Sequence, residues 1–344
     1  MRNDSYIIQE MIDGARAGGE ECVTIPRINP ETKEELYSIG STVLLPSDMT
    51  VILDGCCLRL CDGAVCNIFA SVGAWEAPDG ENVVRGIKNV RIIGQNGARF
   101  EGGRSNGRTE KCIPEGEHMM WNSFVYFRNV DGFEICGIKA CEPRYWCFTF
   151  VCARNGKIHD IDFHCENTMP NQDGIDLRGG CHNIDIYNIS GVTGDDTIAL
   201  TNIGKRSSWW SVQGVDSGEI ANVTIRNVRA GCSGGHSIIR LLANDGNKVK
   251  NVTIKDVYDT SIVGEGISCY AVIRIGDVRY FAVSPQGLGD IDQISIENVT
   301  SGSAAVVYVN NDNITQRHVS FKGLVAEKGE LLRLKNKEKF YSEV

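Results

Sequence analysis

The sequence lacks several features that would point to a membrane or nucleic-acid protein. No apolar run approaches the roughly 20 residues that a membrane-spanning helix requires, and the first ten residues lack the basic start and apolar stretch of a signal peptide. Basic residues are not in excess, because 35 Lys and Arg stand against 44 Asp and Glu, giving a formal net charge of −9. We therefore expect a cytoplasmic protein without nucleic-acid or membrane partners, unless the native precursor is longer than this chain. The oligomeric state stays open.

The 14 cysteines include no Cys-x-x-Cys pair and no Cys/His cluster with zinc-finger spacing. Most lie in apolar, strand-like runs, such as Cys147 and Cys152 at the two ends of Cys-Phe-Thr-Phe-Val-Cys. We interpret them mainly as small buried hydrophobic residues in a reducing compartment, with disulfides or metal ligation as the alternatives. The sequence therefore predicts no metal and no organic cofactor.

A short phrase recurs along the chain at unequal spacing. Its clearest copies are Asn183-Ile-Asp-Ile-Tyr-Asn-Ile, Asn222-Val-Thr-Ile-Arg-Asn-Val and Asn251-Val-Thr-Ile-Lys-Asp-Val. Each copy has apolar residues at period two and is opened by a residue type that tolerates a tight bend. A short strand of this kind gains a core when the next coil stacks on it. The repeat predicts an all-β chain folded as a parallel β-helix.

The two ends of the chain differ from this repeat. Residues 4–18 carry apolar side chains at helical spacing and stop at a glycine pair, which predicts a short N-terminal helix that caps the coil stack; the apolar residues are Ile7, Ile8, Met11, Ile12 and Ala15. Strand-like segments run from about Val23 to about Leu334 without a linker, so we expect residues 1–344 to form a single domain. The charged tail, 335–344, is expected to fray or to lie across the far end.

The richest stretch in acidic side chains is Asn171-Gln-Asp-Gly-Ile-Asp-Leu followed by Gly194-Asp-Asp-Thr-Ile-Ala-Leu. A shift of 23 residues, from Asp173 to Asp196, also lays Ile175 on Ile198. That shift is about one coil, and neighbouring coils stack roughly 4.7 to 4.9 Å apart. The sequence therefore predicts adjacent carboxylates on Asp173 and Asp196, with Asp195 beside them and stacked over Gln172.

Three crowded carboxylates repel one another, which raises the pKa of at least one of them. Glycosidic hydrolysis uses this arrangement, because a protonated acid helps the leaving oxygen to depart while an ionised carboxylate activates water. Asn171 could orient one of the carboxylates. The alternatives are aspartates that serve only as turn residues and a calcium site.

These motifs resemble glycoside hydrolase family 28, the polygalacturonases and related pectin hydrolases. The resemblance rests on Asn171-x-Asp173, Gly194-Asp195-Asp196, Gly235-His236, Arg274-Ile275 and Tyr308, and it extends over nearly the whole chain. It implies a right-handed parallel β-helix and hydrolysis with inversion. It also implies that Asp195 is the general acid, that Asp173 and Asp196 hold and deprotonate the attacking water, and that His236 tunes or hydrogen-bonds the acid and the substrate.

Strand alternation gives an independent expectation for the remaining positions. Arg274 lies between Ile273 and Ile275, and Tyr308 lies between two valines, so both side chains should face out of the core, where a sugar could bind. Asp173 and Asp196 share the parity of buried isoleucines, so a bend at the start of each strand is needed to bring them out.

The sequence departs from the polygalacturonase pattern at Gly276, where that pattern has a lysine that binds the uronic carboxylate together with the arginine. Lys205 or Arg206 could replace this cation, or the sugar bound there could be neutral, for instance rhamnose. The segment 205–217 is an insertion, and its Trp209 and Trp210 are candidates to stack on sugar rings, although packing on their own coil is the alternative.

Two other functions are compatible with a β-helix of this composition. A polysaccharide lyase would abstract a proton beside a uronate carboxylate and give unsaturated products. A non-catalytic carbohydrate-binding β-helix would bind a sugar without turnover. The full set of three aspartates favours a hydrolase that acts on a pectin-type carbohydrate.

Overall fold

The structure is a computed structural model that describes residues 2–75, 86–109, 112, 119–203, 218–244, 246–276, 288–312 and 314–340. Over these residues the chain folds as a right-handed parallel β-helix, as predicted from the repeat and the resemblance. Within the same ranges, no helix is long and apolar enough to cross a membrane.

The described residues contain one α-helix, α1 (Ser5–Ala17), and strands numbered β1 to β23 in chain order. The strands are Cys22–Ile25, Leu36–Ile39, Val43–Leu45, Met49–Asp54, Cys57–Leu60, Phe69–Ser71, Ile87–Gln95, Arg99–Glu101, Val125–Arg128, Val130–Cys141, Phe148–Val151, Arg154–His164, Ile175–Leu177, His182–Thr193, Ile198–Asn202, Ile220–Cys232, Ile239–Ala243, Lys248–Asp259, Ile273–Gly276, Gly289–Ser301, Ala305–Asn310, Ile314–Ala326 and Glu330–Leu334. Short 3-10 helices lie at Met119–Asn122, Thr260–Val263 and Lys337–Lys339.

The strands form two parallel sheets. In the first sheet, the longer strands follow the order β1-β4-β7-β10-β12-β14-β16-β18-β20-β22, with β2, β5 and β8 paired beside this path. In the second sheet, ten shorter strands follow the order β3-β6-β9-β11-β13-β15-β17-β19-β21-β23. Each strand thus pairs with its counterpart from the next coil, which is the stacking that the sequence repeat predicts.

Several long strands of the first sheet bend at the asparagines of the repeated phrase. In β14, Asn183 and Asn188 have φ of 57° and 54°, and in β16 Asn222 and Asn227 have φ of 56° and 52°. This left-handed conformation is unfavourable for most L-residues, and asparagine adopts it more readily. The sequence placed the asparagine at the start of each strand, but the strand continues on both sides of it, because a single left-handed residue turns the chain without ending the ladder.

The same asparagines connect neighbouring coils through their side chains. The Nδ2 of Asn222 donates to Oδ1 of Asn183 at 2.9 Å, and the Nδ2 of Asn251 donates to Oδ1 of Asn222 at 2.6 Å. Five positions later, Asn227 donates in the same way to Asn188 at 2.6 Å. The residue type that permits the bend therefore also holds one coil on the next.

The interior is one continuous apolar cluster that extends from α1 to the last coils. Phenylalanines pack in its N-terminal half, as in the stacked pair Phe133 and Phe150, whose ring centroids are 4.9 Å apart. The fourteen cysteines all lie in the described residues, none of them forms a disulfide, and ten of them are buried. The interpretation of most cysteines as small buried hydrophobic residues agrees with this packing.

The helix and the tail cover the two ends of the stack. In α1, Ile7, Ile8 and Ile12 are buried against the first coil, and Met11 and Ala15 pack at the edge of the same core. At the other end, Phe340 stacks on Phe321 with a centroid distance of 6.2 Å. The described part of the tail therefore lies across the far end, which is one of the two outcomes that the sequence predicts.

The left-handed bends can be tested at Asn222. Both Asn222→Ala and Asn222→Gly lose the side-chain bonds to neighbouring coils, but only alanine keeps the penalty of a Cβ at φ 56°. We expect Asn222→Ala to be the less stable variant by about 1 kcal/mol, measured by thermal and urea unfolding.

Thr224, two residues along the same strand, supplies the matched control. It does not have a positive φ, so glycine there should be less stable than alanine by roughly 0.5 to 1 kcal/mol. The same order of stability at both positions would contradict a specific left-handed requirement at Asn222.

Candidate active site

Three successive connections between the two sheets meet at one corner of the β-helix. They are residues 165–174 between β12 and β13, 194–197 between β14 and β15, and 233–238 between β16 and β17. The first carries Asp173, the second carries Asp195 and Asp196, and the third carries His236. Because the coils stack in register, these four side chains come together although they are far apart in sequence.

The pairing that the sequence predicted for the two aspartate motifs is confirmed. Ile175 pairs with Ile198 and Leu177 with Leu200, and the backbone N–H of Asp195 donates to the carbonyl of Gln172 at 3.1 Å. Strands β13 and β15 begin at the isoleucines, so Asp173 and Asp196 precede the regular alternation. The bend that was needed to bring these acids out of the core is therefore present.

Close stacking of the connections depends on Gly194. A Cβ at this position would lie 2.7 Å from the Cβ of Gln172 in the coil below. The connection after Gly194 is also fixed by Thr193, whose hydroxyl donates to the carbonyl oxygen of Asp195 at 2.7 Å. The two aspartates are thus presented by a short and well-anchored segment.

Carboxylate oxygens of Asp173, Asp195 and Asp196 all lie within 4.8 Å of one another. Asp195 Oδ1 is 3.1 Å from Nδ1 of His236 and accepts a hydrogen bond from the backbone N–H of Asp196 at 2.9 Å. The side chain of Asp195 is 13% exposed and that of His236 is 46% exposed. Asp195 is therefore the acid of the cluster that lies nearest to solvent, and His236 stands beside it at the surface.

Asp196 has contacts that stabilise a negative charge. Its Oδ1 accepts the backbone N–H of Ser237 at 2.9 Å, and its Oδ2 lies 3.3 Å from Nη1 of Arg240. Sequence reasoning missed Arg240. The signal was available in Ile239-Arg240-Leu241, which alternates as Ile273-Arg274-Ile275 does and so turns its arginine out of the core.

The carboxyl groups differ in how readily they ionise. Burial, followed by repulsion from Asp196, raises the pKa of Asp195 to about 6, while the charges of His236 and Arg240 act in the opposite direction. Burial is also the main reason that the pKa of Asp173 is raised well above its ordinary value, with Asp195 as the next cause. Oδ1 of Asp173 has no hydrogen-bond partner among the described residues.

A fourth acid, Asp176, lies on the outward face of β13 and is 1% exposed. Burial raises its pKa well above the ordinary value, against the charge of Arg178. The sequence analysis did not single out Asp176, although its position between Ile175 and Leu177 places it on the outward face by alternation. Repulsion from Asp196 and Asp195 acts in the same direction as burial and further raises the pKa of Asp176.

The cluster combines a carboxyl group that can carry a proton near neutral pH with a carboxylate that is paired to a cation. This is the division of labour that acid/base chemistry requires. A divalent cation could also be held by Asp173, Asp195 and Asp196. However, Arg240 already supplies a positive charge to Asp196 and would repel such an ion.

Beyond the acids, a column of outward side chains continues along the second sheet. Arg240 pairs with Arg274, and Arg274 pairs with Tyr308 on the next coil. Ile273 and Ile275 are fully buried, so the expected outward orientation of Arg274 and Tyr308 is what the structure shows. The ring of Tyr270 meets Tyr308 edge-on, with a centroid distance of 4.8 Å.

Gly276, which stands where polygalacturonases have a lysine, has a backbone that excludes a side chain. Its φ is 74°, and a Cβ built on it would lie 2.0 Å from the carbonyl oxygen of Asn310. A lysine could not occupy this position without a shift of the backbone.

The remaining sequence predictions separate into two groups. Asn171 lies at a bend with φ 59° before Asp173, and within the described ranges its side chain makes no hydrogen bond to the three acids. Lys205, Arg206, Trp209 and Trp210 lie outside the described residues, so their suggested roles stay predictions.

A known protein family matches this chain by sequence. The sequence model of "Glycosyl hydrolases family 28" matches residues 30–263, about two thirds of the chain. No curated protein matches the chain by sequence.

Similar solved structures share the fold at low sequence identity. Polygalacturonase from Erwinia carotovora ssp. carotovora has a TM-score of 0.65 and 15% identity, with 99% of this chain and 94% of that chain covered. A hyperthermoactive exopolygalacturonase from Thermotoga maritima has a TM-score of 0.63 and 16% identity, covering 97% and 88%. Endo-xylogalacturonan hydrolase from Aspergillus tubingensis has a TM-score of 0.61 and 14% identity, covering 100% and 92%.

The raised pKa of Asp195 predicts a pH-dependent cost to stability. Its ordinary pKa is 3.8 and its folded pKa is about 6, so between these values the folded protein binds more protons than the unfolded chain and stability falls as pH rises. We expect Asp195→Asn to raise the free energy of unfolding by roughly 1 to 3 kcal/mol at pH 7, and to give no gain near pH 4, measured by thermal unfolding at both pH values.

Asp13→Asn is the matched control, because Asp13 is exposed on α1 and the same change there should stay within about 0.5 kcal/mol at either pH. A gain for Asp195→Asn that is equal at pH 4 and pH 7, or a loss at pH 7, would show that the buried charge of Asp195 carries no such cost.

Proposed function

The chain belongs to the glycosyl hydrolases of family 28, and from that premise we propose that it cleaves O-glycosidic bonds of pectin-type oligo- or polysaccharides with Asp195 as general acid. The observation that carries the proposal is the contrast between two neighbouring carboxyl groups. Asp195 has a pKa raised to about 6, whereas Asp196 contacts Arg240 and the backbone N–H of Ser237. Opposed environments of this kind support Asp195 as the acid and Asp196 as the base.

In this mechanism, protonated Asp195 donates its proton to the glycosidic oxygen as the bond to the anomeric carbon breaks. Asp196 and Asp173 orient a water molecule, and Asp196 accepts the proton of that water as it attacks the anomeric carbon. Arg240 places a positive charge 3.3 Å from Oδ2 of Asp196, the side of the cluster where the proposed base lies. His236 contacts Asp195 at 3.1 Å and holds the acid in place from the solvent side.

The cations near the acids bear on the class of sugar. Arg240 and Arg274 are register partners on adjacent coils, so two guanidinium groups lie side by side in the outward column near the acids. The backbone at Gly276, two residues after Arg274, leaves no room for a lysine side chain. We propose that a sugar with a carboxylate, such as a galacturonate unit of pectin, binds at this column, since guanidinium groups recognise carboxylates in a bidentate manner. A neutral sugar such as rhamnose is the alternative, and a substrate panel that contains both classes distinguishes them.

The proposed roles predict that Asp173→Asn, Asp195→Asn and Asp196→Asn each lower the rate of hydrolysis by about 100-fold or more. The measurement is release of reducing sugar from a panel of oligogalacturonates, rhamnose-containing pectic oligosaccharides and aryl glycosides. Asp162→Asn is the control, because Asp162 lies on β12 in the first sheet, away from the corner, and should keep full activity.

Full activity of Asp195→Asn would remove Asp195 from the mechanism. The same reactions also test the other β-helix functions. Unsaturated products that absorb in the ultraviolet would indicate a lyase, and binding without release of reducing sugar would indicate a carbohydrate-binding protein.

The stereochemistry needs a separate measurement. The family resemblance implies inversion, for which acid and base are usually about 6.5 to 9.5 Å apart, whereas retaining enzymes place them about 5 to 5.5 Å apart. We predict inversion, observed by NMR as a first-formed product with the anomeric configuration opposite to that of the substrate. A retained configuration would make Asp173 or Asp196 a nucleophile instead.

A further inference from the structure

A second cluster of polar side chains lies on the outward face of the first sheet, away from the three acids. Glu134 and Cys136 are two residues apart on β10, with buried Ile135 between them pointing into the core. On the next coil, His159 of β12 is the register partner of Cys136. Alternation and stacking therefore bring a carboxylate, a thiol and an imidazole to one patch of the sheet.

The donor atoms of these three side chains converge. Nε2 of His159 lies 3.1 Å from Oε1 of Glu134, and one donor atom from each of Glu134, Cys136 and His159 lies within 4.8 Å of the others. The other ring nitrogen, Nδ1, lies 2.6 Å from Oδ2 of Asp160. In metal sites a carboxylate commonly accepts this second N–H of a ligating histidine, which fixes the tautomer and points the free lone pair at the metal.

We propose that Glu134, Cys136 and His159 form a site for a zinc ion, with Asp160 as the carboxylate that orients the histidine. Thiolate, imidazole and carboxylate are the ligands that zinc takes, and water would complete a tetrahedral set. Zinc bond lengths place tetrahedral ligand atoms about 3.5 Å apart. The three donor atoms here lie at most 4.8 Å apart, so each pair would have to approach by no more than about 1.3 Å. When the zinc–sulfur bond forms, the thiol proton passes to solvent.

The surroundings of the cluster allow an ion to enter and hold the histidine ring in place. The side chains of Glu134 and His159 are 26% and 13% exposed, while Cys136 is buried. The ring of Tyr187 stacks on His159 at 4.5 Å with an interplanar angle of 4°. Arg91 approaches Glu134 at 3.7 Å, and it would turn back to solvent when the carboxylate binds the ion.

A zinc titration against a competing chromogenic chelator, under reducing conditions and with the full chain, tests the proposal. The wild-type protein should bind one zinc ion at this site. Cys136→Ser should weaken that binding at least tenfold, and Asp160→Asn should weaken it by about 10- to 100-fold, the usual effect of losing the carboxylate behind a ligating histidine. Asparagine suits the left-handed backbone at this position, where φ is 53°, so the variant should fold.

Cys141→Ser is the matched control, since Cys141 lies on the same strand and pairs with His164, and its loss should leave zinc affinity unchanged. Cobalt provides a second readout: an absorption band from sulfur-to-cobalt charge transfer should appear in the wild type and in Cys141→Ser, and should be absent in Cys136→Ser. Melting temperature and glycosidase activity show whether each variant is folded.

Unchanged zinc affinity in Cys136→Ser, or loss of binding when the exposed Cys22 or Cys112 is replaced instead, would overturn the proposal and leave Glu134 and His159 as a simple hydrogen-bonded pair. If Cys136→Ser fails to fold, Glu134→Gln and Asp160→Asn replace it in the titration, and both should weaken zinc binding. None of these binding outcomes depends on the proposed hydrolysis, because the cluster lies on the first sheet and the three acids lie in the connections at the corner between the sheets.

Discussion

The left-handed bends of the first sheet set the geometry on which the rest of the molecule depends. In the strands β10, β12, β14, β16, β18, β20 and β22, two residues five positions apart turn the chain, such as Asn183 with φ 57° and Asn188 with φ 54°. Asparagine accepts this backbone and bonds to its equivalent in the next coil. Because every coil turns at the same place, the connections at one corner superpose, and side chains that are distant in sequence meet there.

At that corner, burial and repulsion among three acids affect both the stability of the fold and the pKa values of the site. Burial and mutual repulsion oppose a full set of negative charges on Asp173, Asp195 and Asp196. Arg240 and the backbone N–H of Ser237 stabilise the charge on Asp196. Asp195 then takes up a proton more readily than an exposed aspartate would. The arrangement that destabilises the fold at neutral pH therefore also provides the raised pKa that the proposed role of Asp195 as proton donor requires.

The proposed zinc site and the arginine pair beside the acids both arise from the stacking of coils in register. Cys136 and His159 meet because they are register partners in the first sheet, and Arg240 and Arg274 meet because they are register partners in the second. Neither pair has a local sequence signature, so spacing rules for cysteine and histidine motifs do not indicate the zinc site proposed here. In a stacked fold, the number of residues in each coil decides which side chains meet, so the residues of a site need not share a local sequence motif.

The sequence by itself determined the coil repeat, the capping helix and the register of Asp173 on Asp196, because hydrophobic periodicity and an offset of one coil are local properties. It also predicted the outward orientation of Arg274 and Tyr308 from alternation alone. Only the tertiary structure shows that Arg240 contacts Asp196 rather than another acid. It also shows that the backbone at Gly276 has no room for a Cβ atom. Arg240 reaches Asp196 only through the pairing of β15 with β17, and the limit at Gly276 comes from the carbonyl oxygen of Asn310 on the next coil. Asp196 and Arg240 are 44 residues apart, against 23 residues for the two aspartate motifs, so the added loop length hides their register from an argument based on periodicity.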